Sequence, residues 1–310
     1  MEEINFSSDI KHNLGEMFPN NKDFKVLVWK KKDKREITIF INGFLEGVEF
    51  TDDRFDRLKE HYFAKYKDLG KRLLEKEINS VFLPLPFHHN RGKDIGRAAP
   101  LKRLMEHGSH LYYGGYDQIL SDLEKLIAQI KKNRNDFGLL EDTDELKDED
   151  IQFHLLGYSI GGVAAMGAAK KLEQKFASMT ILLSSWNIAE IEPTEIERSF
   201  KRLFNFTSSN WNILLDQLKK SNIEDLIFNQ LIWGDEDFTL PKEDKVKRIL
   251  FIHGIDDKLF DTKMTAKRTS HLISSEAQNC SFHILPSKHD AQNPFIVSLA
   301  SEFISFNESK

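Results

Sequence analysis

The sequence predicts an α/β protein in which a mostly parallel central sheet is covered by helices on both faces. Two observations lead to that class. Short runs such as Ile37-Thr38-Ile39-Phe40-Ile41 and Ile249-Leu250-Phe251-Ile252 are apolar at nearly every position, as strands buried on both faces are. Between such runs lie longer stretches whose apolar residues return at helical spacing, the pattern of parallel strands joined by covering helices. The 310 residues, 40% of them hydrophobic, can bury a sizeable core. At roughly 150 residues per domain they make two domains or one large α/β domain.

Taken in order, strands are expected over residues 25–29, 36–42, 80–84, 151–156, 179–184, 248–253 and 281–285. Ile119, Leu120, Leu123, Leu126, Ile127 and Ile130 trace one helical stripe, and Phe295, Ile296, Leu299, Ala300 and Phe303 trace another near the end of the chain. An Ala/Gly-rich helix is expected over 162–175. The acidic stretch from Phe137 to Asp150 lacks the alternating oxygen ligands and central glycine of a calcium loop, and is expected to be a solvated connection. Residues 187–247 contain no good strand but carry Ile196, Phe200, Leu203, Trp211, Leu214, Leu218 and Leu231 in helical groupings. That length is too great for a bare loop in a compact domain, so it is expected to be a helical insertion over one end of the sheet. The resulting division is 1–187 and 248–310 for the core and 188–247 for the insertion.

Composition excludes several classes of function. With 44 basic and 49 acidic residues the net charge is −5, which provides no global field for a phosphate backbone, so nucleic acid is not an expected partner. The single cysteine, Cys280, cannot close an intramolecular disulfide or build a thiolate zinc cluster, and it suits a reducing compartment. Met1 to Ile10 is acidic and polar rather than basic and then apolar, and no run of about 18 apolar residues occurs. A soluble, cytoplasmic chain without integral membrane association is expected, its oligomeric state left open.

The residues that carry chemistry begin with Gly157-Tyr158-Ser159-Ile160-Gly161. A GxSxG pentapeptide arises by chance, and its surroundings give it meaning. A nucleophile elbow needs a buried strand, a tight turn that strains the serine backbone, small flanking residues and an immediate helix start. All four are expected here. The competing reading is a glycine-rich helix start that packs closely or holds phosphate through its backbone N–H groups. A P-loop is excluded because no Gly-Lys-Ser/Thr ending follows, and the segment does not spell G-x-G-x-x-G.

A serine hydroxyl needs a histidine to take its proton and an acid to hold that histidine's tautomer. Both occur later in the chain. Gly254-Ile255-Asp256-Asp257 follows one strand, and Pro286-Ser287-Lys288-His289 follows the last. His283 lies within that last strand, committed to one face of the sheet, so a structural role is expected for it. His253 is expected to be buried and hydrogen-bonded. His88, His89 and Arg91, leaving the strand at 80–84, could contact substrate or anchor the excursion over 87–116, and anchoring is the reading adopted. A metal site from His88, His89, His107 and His110 finds no support in their spacing. Phe200, Phe204, Phe206, Trp211, Trp233 and Phe238 could line an acyl pocket or form the core of the insertion.

In these motifs the chain resembles the α/β-hydrolase superfamily, whose catalytic residues run serine, acid, histidine along the sequence. The resemblance covers nearly everything outside the insertion, which then becomes a helical cap. It implies a triad of Ser159, Asp257 and His289. The family's acid lies three residues after a glycine closing the penultimate strand, which favours Asp257, although a one-residue shift of the turn would exchange it with Asp256. Asn42-Gly43-Phe44-Leu45-Glu46-Gly47 is similar to the family's His-Gly-x-x-x-Gly loop with Asn42 in place of histidine. The oxyanion donors implied are the backbone N–H groups of Phe44 and Ile160. The implied protein is a serine esterase or thioesterase acting on a small acyl substrate without a metal or organic cofactor. A peptidase, an acyltransferase and a catalytically silent binding protein on the same fold are the other readings.

Overall fold

Strands that are apolar on both sides can be buried only in the middle of a sheet, and the tertiary structure puts them there. The computed structural model describes residues 1–9, 22–43, 66–86, 91, 117–140, 147–184, 240–257, 265–267, 270, 279–288 and 293–306. Among the described residues there are eight strands: β1 (Glu2–Ser7), β2 (Asp23–Trp29), β3 (Glu36–Ile41), β4 (Asn79–Leu83), β5 (Gln152–Tyr158), β6 (Ser178–Leu182), β7 (Ile249–Gly254) and β8 (Cys280–Leu285). They form one sheet in the order β1-β2-β4-β3-β5-β6-β7-β8. β1 with β2 and β2 with β4 are antiparallel, and every pair from β4 to β8 is parallel. The carboxyl ends of β3 to β8 therefore share one edge.

The seven expected strands all form, with ends moved by one or two residues. β1 was not expected. It is an edge strand in which Phe6 is buried while most of its neighbours face solvent, so its sequence carries no apolar alternation. Its register puts Phe6 opposite Phe24, with ring centroids 5.0 Å apart. β8 closes the other edge and is largely exposed, His283 included.

Helices cover both faces, as expected. On one face lie α1 (residues 66–75) and α4 (Pro294–Ser305). On the other lie α2 (residues 117–132) and α3 (Ile160–Lys171). Ile119, Leu120, Leu123, Leu126, Ile127 and Ile130 of α2 are all buried against Ile37, Ile39, Val81 and Phe153. Each such side chain contributes about 1.5–3 kcal/mol relative to exposure. α3 stops at Lys171 rather than running to 175, because Leu172 turns extended and Phe176 bridges to Val246. In α4 the buried stripe is Ile296, Val297, Ala300 and Ile304, whereas Phe295 is 74% exposed, contrary to its expected place on the stripe. The Asn293 side chain caps the helix by accepting from the Phe295 N–H, and Pro294 occupies the first turn, which leaves Phe295 facing outward.

Most of the expected cap, the aromatic residues proposed to line it and the acidic residues 141–146 lie outside the described residues. Leu240 and Val246 are described and belong to the main core. No helix among the described residues is long and apolar enough to cross a membrane.

Arg91 anchors its segment, as the sequence reading held. Its side chain is fully buried, 2.9 Å from Asp122 Oδ2 on α2, and it donates to the Pro84 carbonyl at 2.9 Å. The guanidinium lies 4.1 Å from the centroid of the Phe24 ring, and the Ser8 hydroxyl donates to the other Asp122 oxygen. Burial pulls the Arg91 value down and Asp122 pushes it back up. His88, His89, His107 and His110 lie outside the described residues.

Two outcomes are expected. Arg91→Met leaves the Asp122 carboxylate buried without its cation, so urea unfolding should show a loss of about 3–5 kcal/mol, with Arg91→Met/Asp122→Leu recovering part of it. A loss under about 1 kcal/mol would contradict a buried pair. Burial raises the Cys280 thiol to about 12. Its thiolate is therefore scarce at pH 8, and an aromatic disulfide reagent should react at least about a hundred times more slowly with the folded than with the urea-unfolded chain. Equal rates would refute the burial.

Candidate active site

The site is built where β3, β5, β6 and β7 end. β5 leads into Ser159, whose φ of 53° and ψ of −125° lie in a region that side-chain-bearing residues rarely enter. Holding that conformation costs about 1–3 kcal/mol, and the surrounding hydrogen bonds maintain it. The Ser159 N–H donates to the Leu182 carbonyl at 2.9 Å, and its carbonyl accepts from the Gly162 N–H at 2.8 Å. The Ser184 hydroxyl, just beyond β6, donates to the same carbonyl. Ser159 is only 8% exposed. α3 begins at the next residue, so the Ile160 N–H belongs to the helix's first turn, where no intrahelical acceptor exists.

Close approach explains the glycine after the serine. A Cβ on Gly161 would lie 2.4 Å from the carbonyl oxygens of both Ile41 and Asn42. The elbow is thus pressed against the end of β3. Asn42, fully buried, accepts from the Leu85 N–H through Oδ1 at 2.7 Å and donates from Nδ2 to the Gly43 carbonyl at 2.8 Å. It clamps the turn after β3 onto the segment after β4. A Cβ on Gly43 would come within 2.7 Å of the Tyr158 ring and 3.1 Å of Ser159 Cβ, so the chain entering Phe44 passes directly beside the serine. Phe44 itself lies outside the described residues.

Two strands away, β7 ends at Gly254 and turns. The Asp257 N–H closes the turn on the Gly254 carbonyl at 3.0 Å, the Asp256 side chain is exposed, and Asp257 is only 6% exposed. This turn is fastened to the chain leaving β8 by Ile255 N–H to Leu285 O at 2.9 Å and Asp256 N–H to Ser287 O at 3.0 Å. His289 follows Lys288 on that chain and lies outside the described residues. Strand spacing puts the ends of β5 and β7 about 10 Å apart.

No family model and no curated protein sequence matches the chain. Solved structures do. An esterase of Pyrococcus furiosus superposes with a TM-score of 0.58, covering 98% of this chain and 89% of its own at 13% identity. A cold-adapted esterase from an Arctic intertidal metagenomic library gives 0.52 over 98% and 92% at 12% identity. A lipase-esterase related protein from Clostridium acetobutylicum gives 0.51 over 91% and 98% at 18% identity. Together with the strand order and the strained serine turn, these likenesses decide the architecture.

The chain has the α/β-hydrolase fold.

Three histidines lie among the described residues. His253 is buried on β7, as expected, and His283 faces solvent on the edge strand. His154 is buried near the opposite end of β5 from the serine, with Nδ1 2.8 Å from the Ser178 hydroxyl and Nε2 3.4 Å from Glu36. The role of Ser184 had no signal in the sequence, because it acts on a partner distant along the chain.

Gly161→Ala should lower unfolding free energy by about 1–3 kcal/mol, because the new methyl group has to displace backbone carbonyls at the end of β3. Chemical denaturation measures this, and wild-type stability in the variant would show that the elbow does not press on β3.

Proposed function

We propose that the chain is a serine hydrolase that cleaves a carboxylic ester or thioester. The observation that carries the reading is Ser159, held at positive φ on a turn between a buried strand and a helix start, with Gly43 beside it. The burial of Asp257 at the same sheet edge supports it, and so do the esterase and lipase-esterase names of the proteins that share the fold.

In this mechanism the Ser159 oxygen bonds to the substrate carbonyl carbon as His289 takes the hydroxyl proton, and Asp257 orients the imidazole and stabilises its charged form. The backbone N–H groups of Phe44 and Ile160 receive the oxyanion, each worth roughly 3 kcal/mol in the transition state. Collapse expels the alcohol or thiol, which leaves with the proton from His289. Water then attacks the acyl-serine, giving its proton to His289, and the carboxylic acid and free serine are restored. In this reading the inserted segment before β7 supplies a cap that shields this chemistry from water and shapes the acyl pocket.

A fluorophosphonate probe should label the native protein and fail to label Ser159→Ala, and absence of labelling on folded wild-type protein would sink the mechanism. Asp257→Asn should lower turnover of 4-nitrophenyl esters by on the order of 10⁴, the size of the corresponding effect in serine proteases. Near-normal turnover would transfer the acid role to Asp256. Parallel assays of acyl esters, thioesters and peptide amides separate an esterase from a peptidase.

A further inference from the structure

We infer that Ser184 is a positioning residue for the oxyanion donor, its hydroxyl fixing the peptide that joins Ser159 to Ile160. The inference rests on the serine-hydrolase reading above and deepens it. Ser184 lies two residues beyond β6, is only 3% exposed, and donates from its hydroxyl to the Ser159 carbonyl. The Gly162 N–H donates to the same oxygen at 2.8 Å. A carbonyl oxygen offers two lone pairs, and both are thereby engaged. A peptide unit is planar, and this one is trans, so a carbonyl held from two directions also holds the N–H at its other end, aimed the opposite way. That N–H belongs to Ile160, the first residue of α3, where no intrahelical acceptor exists.

The chain is shaped around this contact from both sides. Leu183 has a φ of 46°, a left-handed backbone that a leucine rarely adopts. The Leu182 carbonyl before it accepts from the Ser159 N–H, and the Ser184 hydroxyl after it reaches the Ser159 carbonyl, so the bend at Leu183 lets one short segment grip both backbone groups of the nucleophile. Strain of this kind persists where the surroundings over-determine it, and the Leu183 N–H is itself held by the Ile252 carbonyl at 2.8 Å. On the helix side, a Cβ on Gly162 would lie 2.5 Å from Ser184 Cβ and 2.6 Å from its Oγ, so this glycine makes room for the serine side chain. Oxyanion donors act by being aimed before charge develops. Without the Ser184 hydroxyl one restraint on the 159–160 peptide is gone and the Ile160 N–H is free to rotate off its target. Transition-state binding weakens, while binding of the neutral substrate, which depends less on that donor, stays nearly unchanged. Hydrogen bonds to a carbonyl also polarise its amide, so the same loss makes the N–H a weaker donor.

The test compares wild type with Ser184→Ala, which removes the hydroxyl and little else. With 4-nitrophenyl butyrate, and with enzyme concentration set by fluorophosphonate titration, kcat should fall at least about tenfold, less than the roughly 10²–10³ lost with a whole donor, while KM stays within about twofold. The dissociation constant of an alkylboronic acid, whose adduct with a serine is tetrahedral, should rise by a similar factor. Unchanged kcat and boronate affinity, or a loss carried by KM, on a wild type that turns over through Ser159 would overturn this inference alone. A wild type inert to probe and ester would overturn the hydrolase reading and this role with it. If Ser184→Ala does not fold, a crystal structure of the wild-type fluorophosphonate adduct decides. The phosphoryl oxygen should accept from the Ile160 N–H with the Ser184 hydroxyl still on the Ser159 carbonyl, and a hydroxyl turned away, or a phosphoryl oxygen out of reach of that N–H, would overturn the inference.

Discussion

The carboxyl ends of β3 and β5 come together until backbone meets backbone, and the geometry of the site depends on that approach. Gly161 stands where any side chain would strike the Ile41 and Asn42 carbonyls, and Gly43 stands where one would strike Tyr158. Because these positions lack a Cβ, the turn after β3 and the elbow after β5 share one small volume. The strained Ser159 backbone is one result. Its conformation is unfavourable in isolation and persists because Leu182, Gly162 and Ser184 each hold one of its backbone groups. The other result is that the start of α3 and the end of the turn after β3 meet beside Ser159.

Around this contact the sheet edge is assembled from turns that fix one another. Asn42 joins the turn after β3 to the segment after β4, Ser184 joins the end of β6 to the elbow, and two backbone hydrogen bonds join the turn carrying Asp257 to the chain leaving β8. Further from the chemistry, the buried Arg91–Asp122 pair ties that same segment after β4 to α2, with Phe24 of β2 and Ser8 after β1 packed around it. A pair of this kind is weak evidence for net stability, since desolvation opposes the attraction. Its contribution is to fix where the chain leaving β4 goes. The described turns at this edge are thereby hydrogen-bonded to one another rather than standing as independent loops.

Legibility differed from element to element for physical reasons. β3 and β7, buried on both faces, were readable because burial demands apolar residues at every position. β1 was not, because an edge strand takes its hydrogen bonds from one neighbour and here buries Phe6 among mostly solvent-facing residues. The stripe on α2 was read correctly. That on α4 was rotated, because several apolar residues compete for the buried side and the cap at Asn293 decides which of them face the core. In the site, the G-x-S-x-G elbow was legible because strain, close packing and a helix start each demand particular residues within a short window. Between Asp256 and Asp257 the family spacing favoured the second, and the observed turn exposes the first side chain and buries the second.

By itself the sequence determined the class of fold, seven of its strands, the serine turn and the order in which serine, acid and histidine candidates occur. All of these are written in residues close together along the chain, where periodicity and turn chemistry operate. Only the tertiary structure decided that Asn42 clamps the turn after β3, that Ser184 holds the serine's carbonyl, and that Arg91 finds Asp122. Those pairings join segments far apart in sequence, and hydrogen bonding leaves no periodic trace in either partner. They exist because folding brings the carboxyl ends of parallel strands to one edge, where any buried polar group must find its partner in whatever segment arrives beside it.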